Sequence, residues 1–95
     1  KSRTTAMNKI VLITTKGCQG CHIMHCNIEQ ALENTKKKIE YVVKDIKYLT
    51  KDEKSKLNVS DFPTTLLYKD DKLTRQEVGT RPYIVIVRWF DIDFK

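Results

Sequence analysis

The sequence predicts an α/β domain with the element order β-α-β-α-β-β-α. Three observations carry that expectation. Short β-branched runs alternate with a stretch of helical period. A strand–turn–strand succession follows Pro63. The last apolar segment repeats its large side chains at helical spacing. Ninety-five residues suffice for one domain with one modest core, and 40% hydrophobic with 32% charged residues describes an ordinary globular chain, not a disordered one.

Taken in order, residues 1–6 precede Met7 and carry no apolar pattern. They read as a leader or an expression remnant, leaving 7–95 as the domain. Ile10 to Ile13 is a β-branched run that reads as a buried strand, ended by Thr14 to Gly17. From Cys18 the period changes. Cys21, Met24, Ile28, Ala31 or Leu32, and Thr35 fall on one helical stripe, predicting a helix to about Lys37. Ile39 to Ile46 is a second strand, with Tyr41 and Val43 on one face and Val42 on the other. Thr50 with Glu53 three residues later forms a capping box, opening a short helix that ends near Leu57 with Asn58 as its cap. Thr64 to Tyr68 and Leu73 to Val78 make a hairpin about Asp70-Asp71. Gly79 ends the sheet, and Thr80 and Pro82 suit a helix start. Tyr83 to Phe94 is strand-like by propensity but helical by spacing, with Tyr83, Val87, Phe90 and Phe94 in phase; helix is the expectation, because it would cover a sheet face.

Composition excludes several classes. The longest apolar run, Tyr83 to Val87, falls far short of the roughly 20 residues that cross a bilayer. No membrane partner is therefore expected, and because no charged start leads into an apolar segment and a cleavage site, no signal peptide is expected in these residues. The formal charge is +6, of which Lys1 and Arg3 supply two. Apart from Lys36-Lys37-Lys38 the lysines are dispersed, without interleaved aromatics, and no nucleic-acid partner is expected.

The three cysteines all lie between residues 18 and 26, too close together to staple distant parts of the chain. Such clustering points to redox chemistry or metal binding. Cys18-Gln19-Gly20-Cys21 stands between a strand and a helix. A cysteine at a helix N-terminus faces unpaired N–H groups and the positive end of the dipole, both of which favour the thiolate. Cys18 is therefore expected to attack a disulfide and Cys21 to resolve the mixed disulfide. Lys16 adds positive charge nearby, His22 is a candidate for tuning Cys18, and Gly17 and Gly20 leave room for a large partner. A competing reading uses Cys18, Cys21, His22, His25 and Cys26 as zinc or iron–sulfur ligands, although no second ligand pair stands further along the chain. Cys18-x-x-Cys21-His22 also matches a haem attachment pattern, without a suitable axial partner. Cys26, His22 and His25 otherwise read as surface residues. Pro63, just before a strand, fits a cis X-Pro bond that sets Phe62 beside the sulfurs, where its backbone pairs with an extended peptide. Phe62, Pro63 and Thr64 are thus the expected substrate-binding segment.

From Lys9 to Phe94 the chain resembles the thioredoxin superfamily. The resemblance rests on Cys18-Gln19-Gly20-Cys21 after a strand, on Phe62-Pro63-Thr64-Thr65-Leu66-Leu67-Tyr68 leading into a hairpin, and on Val78-Gly79 before a last helix. It implies a thioredoxin-like fold, a mixed four-stranded sheet flanked by helices, with a nucleophilic Cys18, a resolving Cys21 and a cis Pro63. The chain departs from typical thioredoxins in lacking a Trp before the cysteines and Gly-Pro between them, in placing Leu12 where a buried Asp stands, and in showing no extra strand and helix before Ile10. Its size is that of a glutaredoxin, yet Val78-Gly79-Thr80-Arg81 stands in place of the Gly-Gly-x-Asp-like stretch that binds glutathione. Cys21-His22 and Gly79-Thr80-Arg81-Pro82 are similar to NrdH-type redoxins. The expected function is a thiol–disulfide oxidoreductase that reduces protein disulfides. It would act in the cytoplasm as a monomer, take electrons from a thioredoxin-reductase-type donor, and use no metal or cofactor beyond the Cys18–Cys21 pair. The alternatives are the metal-binding module and a glutathione-dependent glutaredoxin.

Overall fold

A computed structural model describes residues 7–95; the reading of 1–6 as a leader lies outside the described residues. The elements run β1 (Asn8–Thr14), α1 (Gln19–Glu33), β2 (Ile39–Asp45), a 3₁₀ turn (Ile46–Tyr48), α2 (Lys51–Leu57), β3 (Thr64–Lys69), β4 (Lys72–Val78) and α3 (Tyr83–Asp93). The sheet has the order β2-β1-β3-β4. β1 is parallel to β2 and antiparallel to β3, and β3 and β4 form an antiparallel hairpin. This is a thioredoxin-like fold, a mixed four-stranded sheet flanked by three helices.

β1 lies in the middle of the sheet, and Ile10 to Ile13 are buried on both of its faces. That explains an uninterrupted apolar run where a half-exposed strand would alternate. On one face Ile10, Leu12 and Leu67 meet Met24, Ile28 and Ala31 of α1 and Ile86, Trp89, Phe90 and Phe94 at the end of the chain. On the other, Val11, Ile13 and Leu66 meet Leu49, with Leu57, Val59 and Phe62 packed around them.

Several element ends differ from the sequence reading, most by a single residue, and three of them have a visible cause. α1 stops at Glu33, not near Lys37. The Asn34 side chain donates to the Gln30 carbonyl at 2.8 Å, and the Thr35 hydroxyl accepts from Lys37 N–H at 3.3 Å. These short polar side chains satisfy the last turn's backbone locally and let the chain leave the helix. Thr35 consequently lies beyond the stripe it was expected to complete. β2 ends one residue early, because the Asp45 carboxylate caps the following turn by accepting from Lys47 N–H at 3.0 Å. β1 begins two residues early, at Asn8, where it pairs with Ile39 and Lys69.

The C-terminal segment is helical despite its β-branched residues. Ile86, Trp89 and Phe90 are buried along one face of α3, and packing of that face outweighs propensity. The capping box of α2 is complete: Thr50 N–H donates to Glu53 Oε1 at 2.9 Å and Glu53 N–H to Thr50 Oγ1 at 3.1 Å. Asn58 takes the left-handed conformation at its end, with φ 53°. Asp70 and Asp71 both have positive φ, 52° and 69°, which matches the twist a two-residue hairpin turn requires.

Candidate active site

Gly17 turns the chain out of β1 with φ 76°, a conformation that costs glycine nothing. Cys18 follows as the N-cap of α1. Its backbone is extended, and its Sγ accepts from Cys21 N–H at 3.1 Å. A sulfur therefore occupies the place a serine or aspartate oxygen usually fills, against the unpaired donors of the first turn. Cys18 and Cys21 are joined in a disulfide with their Cα atoms 5.3 Å apart. Cys18 is partly exposed, whereas Cys21 is 5% exposed and faces inward.

Two further segments close on this turn. The Phe62–Pro63 peptide bond is cis. Pro63 is buried, and a Cβ added at Gly20 would lie 3.3 Å from its Cδ and 3.6 Å from Thr80 Cγ2. The start of α1, the proline segment and residues 79–80 thus meet at Gly20. Gly79, with φ 95°, donates its N–H to the Pro63 carbonyl at 2.8 Å. The loop continues onto α1: Arg81 N–H reaches Met24 Sδ at 3.4 Å, and Asn27 Nδ2 donates to the Arg81 carbonyl at 2.9 Å. The Arg81 side chain is held by the Thr80 carbonyl at 2.9 Å and by Glu77 at 3.6 Å.

The structure brings Cys18, Cys21 and Pro63 into one neighbourhood. The Phe62 ring packs under the sheet against the α2-side cluster. Outside the strands no backbone hydrogen bond engages Phe62 among the described residues. Thr64 is fully buried and its hydroxyl donates to the Asp61 carbonyl at 2.6 Å, so only its backbone borders the site. Lys16 is exposed. The His22 ring lies against Cys26, Nε2 to Sγ 3.8 Å, one helical turn along the exposed face of α1. His25 turns the other way. Its ring stacks on Tyr41, with Nδ1 2.7 Å from the phenol oxygen, while Nε2 is 3.4 Å from Glu29. Burial, with smaller contributions from Glu29 and Cys26, pushes the Tyr41 phenol well above its ordinary value.

The five cysteine and histidine side chains considered as metal ligands therefore face different partners. Among the described residues no group of three or more His, Cys, Asp or Glu side chains is arranged to hold a metal ion. No described helix is long and apolar enough to cross a membrane. Thr80 was missed as a neighbour of the cysteine turn in the sequence, where it reads as a residue before a helix and as part of the stretch that replaces a glutathione-binding segment. Its position becomes visible once Gly79 is seen to bond the proline carbonyl.

A sulfur pair at a helix N-terminus, one sulfur partly exposed and one buried, is suited to exchange between dithiol and disulfide. Comparison with known proteins agrees. The family model for Thioredoxin matches residues 3–91. Among solved structures the chain is similar to thioredoxin-2 of the malaria parasite, described as a component of its protein secretion machinery, with TM-score 0.78 at 14% identity, covering 97% of this chain and 88% of that one. It is also similar to chloroplastic thioredoxin z, with TM-score 0.74 at 19% identity over 94% and 80% of the two chains. No curated protein matches the sequence significantly. The chain belongs to the thioredoxin family, and its Cys18–Cys21 disulfide is consistent with thiol–disulfide oxidoreductase chemistry.

Proposed function

We propose that the protein reduces disulfides in other proteins, with Cys18 as the nucleophile and Cys21 as the resolving thiol. The observation that carries this reading is the unequal exposure of the two sulfurs at the start of α1. In the reduced state the Cys18 thiolate, favoured by the helix N-terminus and the nearby Lys16 charge, attacks a substrate sulfur. A Cys18–substrate bond forms and the first substrate thiolate leaves. The Cys21 thiolate then attacks Cys18 Sγ, forming the Cys18–Cys21 bond and releasing the second substrate thiolate. Two electrons pass from the dithiol to the substrate, and the released thiolates take up protons from water.

Phe62, Pro63 and Thr64 supply the edge on which an extended substrate segment lies, the peptide groups of Phe62 pairing with it. His22 contributes positive charge near the site when protonated. A thioredoxin-reductase-type donor restores the dithiol, and the protein works in the cytoplasm as a monomer without a metal or other cofactor. Arg81, the one cation of the Val78-Gly79-Thr80-Arg81 stretch that could meet a glutathione carboxylate, is paired with Glu77 at 3.6 Å, which speaks against glutathione dependence.

Two coupled assays on one sample test this. One follows insulin reduction with thioredoxin reductase and NADPH; the other follows a glutathione mixed disulfide with glutathione reductase. Turnover is expected in the first and is abolished by Cys18→Ser. Turnover only in the second makes the protein a glutaredoxin and overturns the proposal.

A further inference from the structure

Among the described residues two buried side-chain oxygens have no hydrogen-bond partner, Asn8 Oδ1 at the start of β1 and Thr65 Oγ1 on the central strand β3, and the second lies beside the candidate site. Thr65 is fully buried. Its neighbour Thr64, equally buried, is satisfied by the Asp61 carbonyl. A buried hydroxyl without a partner is costly, and it is retained most readily where another state of the protein supplies one.

The strand fixes where Thr65 points. Leu66 belongs to the cluster on the α2 side and Leu67 to the cluster under α1 and α3. Alternation puts Thr65 on the face of Leu67 and Pro63, beneath α1. Pro63, just before β3, lies against Gly20, and along the strand Thr65 is followed on the same face by Leu67, in one cluster with Met24 and Ile28. Thr65 therefore lies on the sheet face that α1 covers, between Pro63, which meets Gly20, and Leu67, which shares a cluster with Met24, and Cys21 is the buried residue of α1 between Gly20 and Met24. The Met24 sulfur is already taken by Arg81 N–H.

We propose that the Thr65 hydroxyl is the buried hydrogen-bond donor to the Cys21 sulfur once the Cys18–Cys21 bond is broken, making Thr65 a positioning residue for the resolving thiolate. The inference rests on the assignment of Cys21 as the resolving sulfur. In the disulfide, Cys21 Sγ is uncharged and a weak acceptor, so the unpaired hydroxyl of this state is accounted for. In the mixed disulfide Cys21 must become a thiolate in surroundings that favour the thiol. The cross-strand neighbours of Thr65 are Leu12 on β1, which is apolar, and Glu77 on β4, whose carboxylate is held by Arg75 at 3.0 Å and Arg81 at 3.6 Å. α3 presents Ile86 and Phe90 to this face, while Lys16 and His22 are exposed. An O–H donated by Thr65 stabilises the thiolate and holds it for attack on Cys18. The hydroxyl keeps its proton throughout. The Cys18–Cys21 bond forms, the Cys18–substrate bond breaks, and the departing thiolate takes its proton from water.

The test uses Thr65→Val, which keeps shape and removes the hydroxyl, and Thr65→Ser, which keeps the hydroxyl. In a Cys18→Ser, Cys26→Ser background Cys21 is the sole thiol, and its titration is followed by thiolate absorbance. Thr65→Val is expected to raise the Cys21 pKa by about one unit or more, the size of a hydrogen bond to a charged group. Thr65→Ser is expected to leave it in place. With both active-site cysteines present, Thr65→Val should slow release of substrate from the Cys18 mixed disulfide while leaving its formation unchanged. An unshifted Cys21 titration in Thr65→Val, or the same shift in both variants, overturns the proposal. The titration needs no turnover. Loss of insulin reduction in the unaltered protein would therefore remove the proposed function without touching this result.

Discussion

Gly20 is the residue on which three segments converge, and it gives a direct handle on the site. Replacing a helical glycine with alanine ordinarily stabilises by about 1 kcal/mol. Here the new methyl would stand 3.3 Å from Pro63 Cδ, which must give by a few tenths of an ångström, and 3.6 Å from Thr80 Cγ2, an ordinary contact. The two effects oppose each other. Gly20→Ala is expected to leave stability within about 1 kcal/mol of the parent. Its reduction of protein disulfides should fall several-fold, while the reaction of Cys18 with a small thiol reagent is unchanged. Equal loss toward both substrates would show that the methyl disturbs the sulfurs and not the docking edge. The cysteine pair was legible in the sequence because its spacing and its place after a strand each carry chemistry. Thr65 was not, because Thr64 and Thr65 read alike in a buried strand, and only the Asp61 contact distinguishes the satisfied hydroxyl from the free one.

Among the elements, α2 depends most on its ends. It has seven residues and no buried side chain, so its cap carries an unusual share of its stability. Thr50→Ala is expected to cost about 1 kcal/mol, read as a lower thermal midpoint. The effect is pH-dependent. The Thr50 N–H, bonded to the Glu53 carboxylate, holds that carboxyl below its ordinary value, with Lys44 adding to the shift. A carboxyl depressed in the folded state contributes stability above its unfolded pKa and loses it as pH falls through the folded pKa. The penalty of Glu53→Gln should therefore be present at neutral pH and disappear on acidification below the ordinary glutamate range. A penalty that persists in acid would assign the effect to side-chain packing. This element was fully readable because capping is local: Thr50, Glu53 and Asn58 announce both ends. The end of α1 was less so. Leu32 and Thr35 kept the helical phase going on paper, while the stop came from Asn34 and Thr35 turning their polar groups onto the backbone. Period reports the buried face of a helix but not the competition at its last turn.

Across the whole molecule, the element order and the burial of Ile10 to Ile13 followed from the pattern of apolar runs, but the strand order of the sheet and the tie between β4 and α3 did not. Arg75 and Asp93 are 18 residues apart, and neither carries a sequence signal for the other. In the structure Arg75 Nε donates to Asp93 Oδ2 at 2.8 Å and Nη2 to Oδ1 at 3.3 Å, while the guanidinium lies 5.4 Å from the centre of the Trp89 ring. The Asp93 side chain is only 8% exposed, and its hydrogen bonds push the Arg75 pKa up. Such a two-pronged pair is geometrically specific, and removing Asp93 leaves the partly buried Arg75 guanidinium with Glu77 as its remaining carboxylate partner. Asp93→Ala is expected to cost about 2 kcal/mol. Adding Arg75→Met, which keeps the stem over Trp89 and removes a partly buried charge that has lost one of its two carboxylate partners, should recover part of that loss. The redox site should be spared, because the start of α3 is held separately. Asn27 grips the Arg81 carbonyl and Met24 the Arg81 N–H, next to the loop that bonds Pro63. Asp93→Ala should accordingly lower the thermal midpoint while the alkylation rate of reduced Cys18 stays at the parent value. If that rate changed in step with stability, α3 and the site would form a single cooperative unit, and the separate anchorage of the helix start would be wrong.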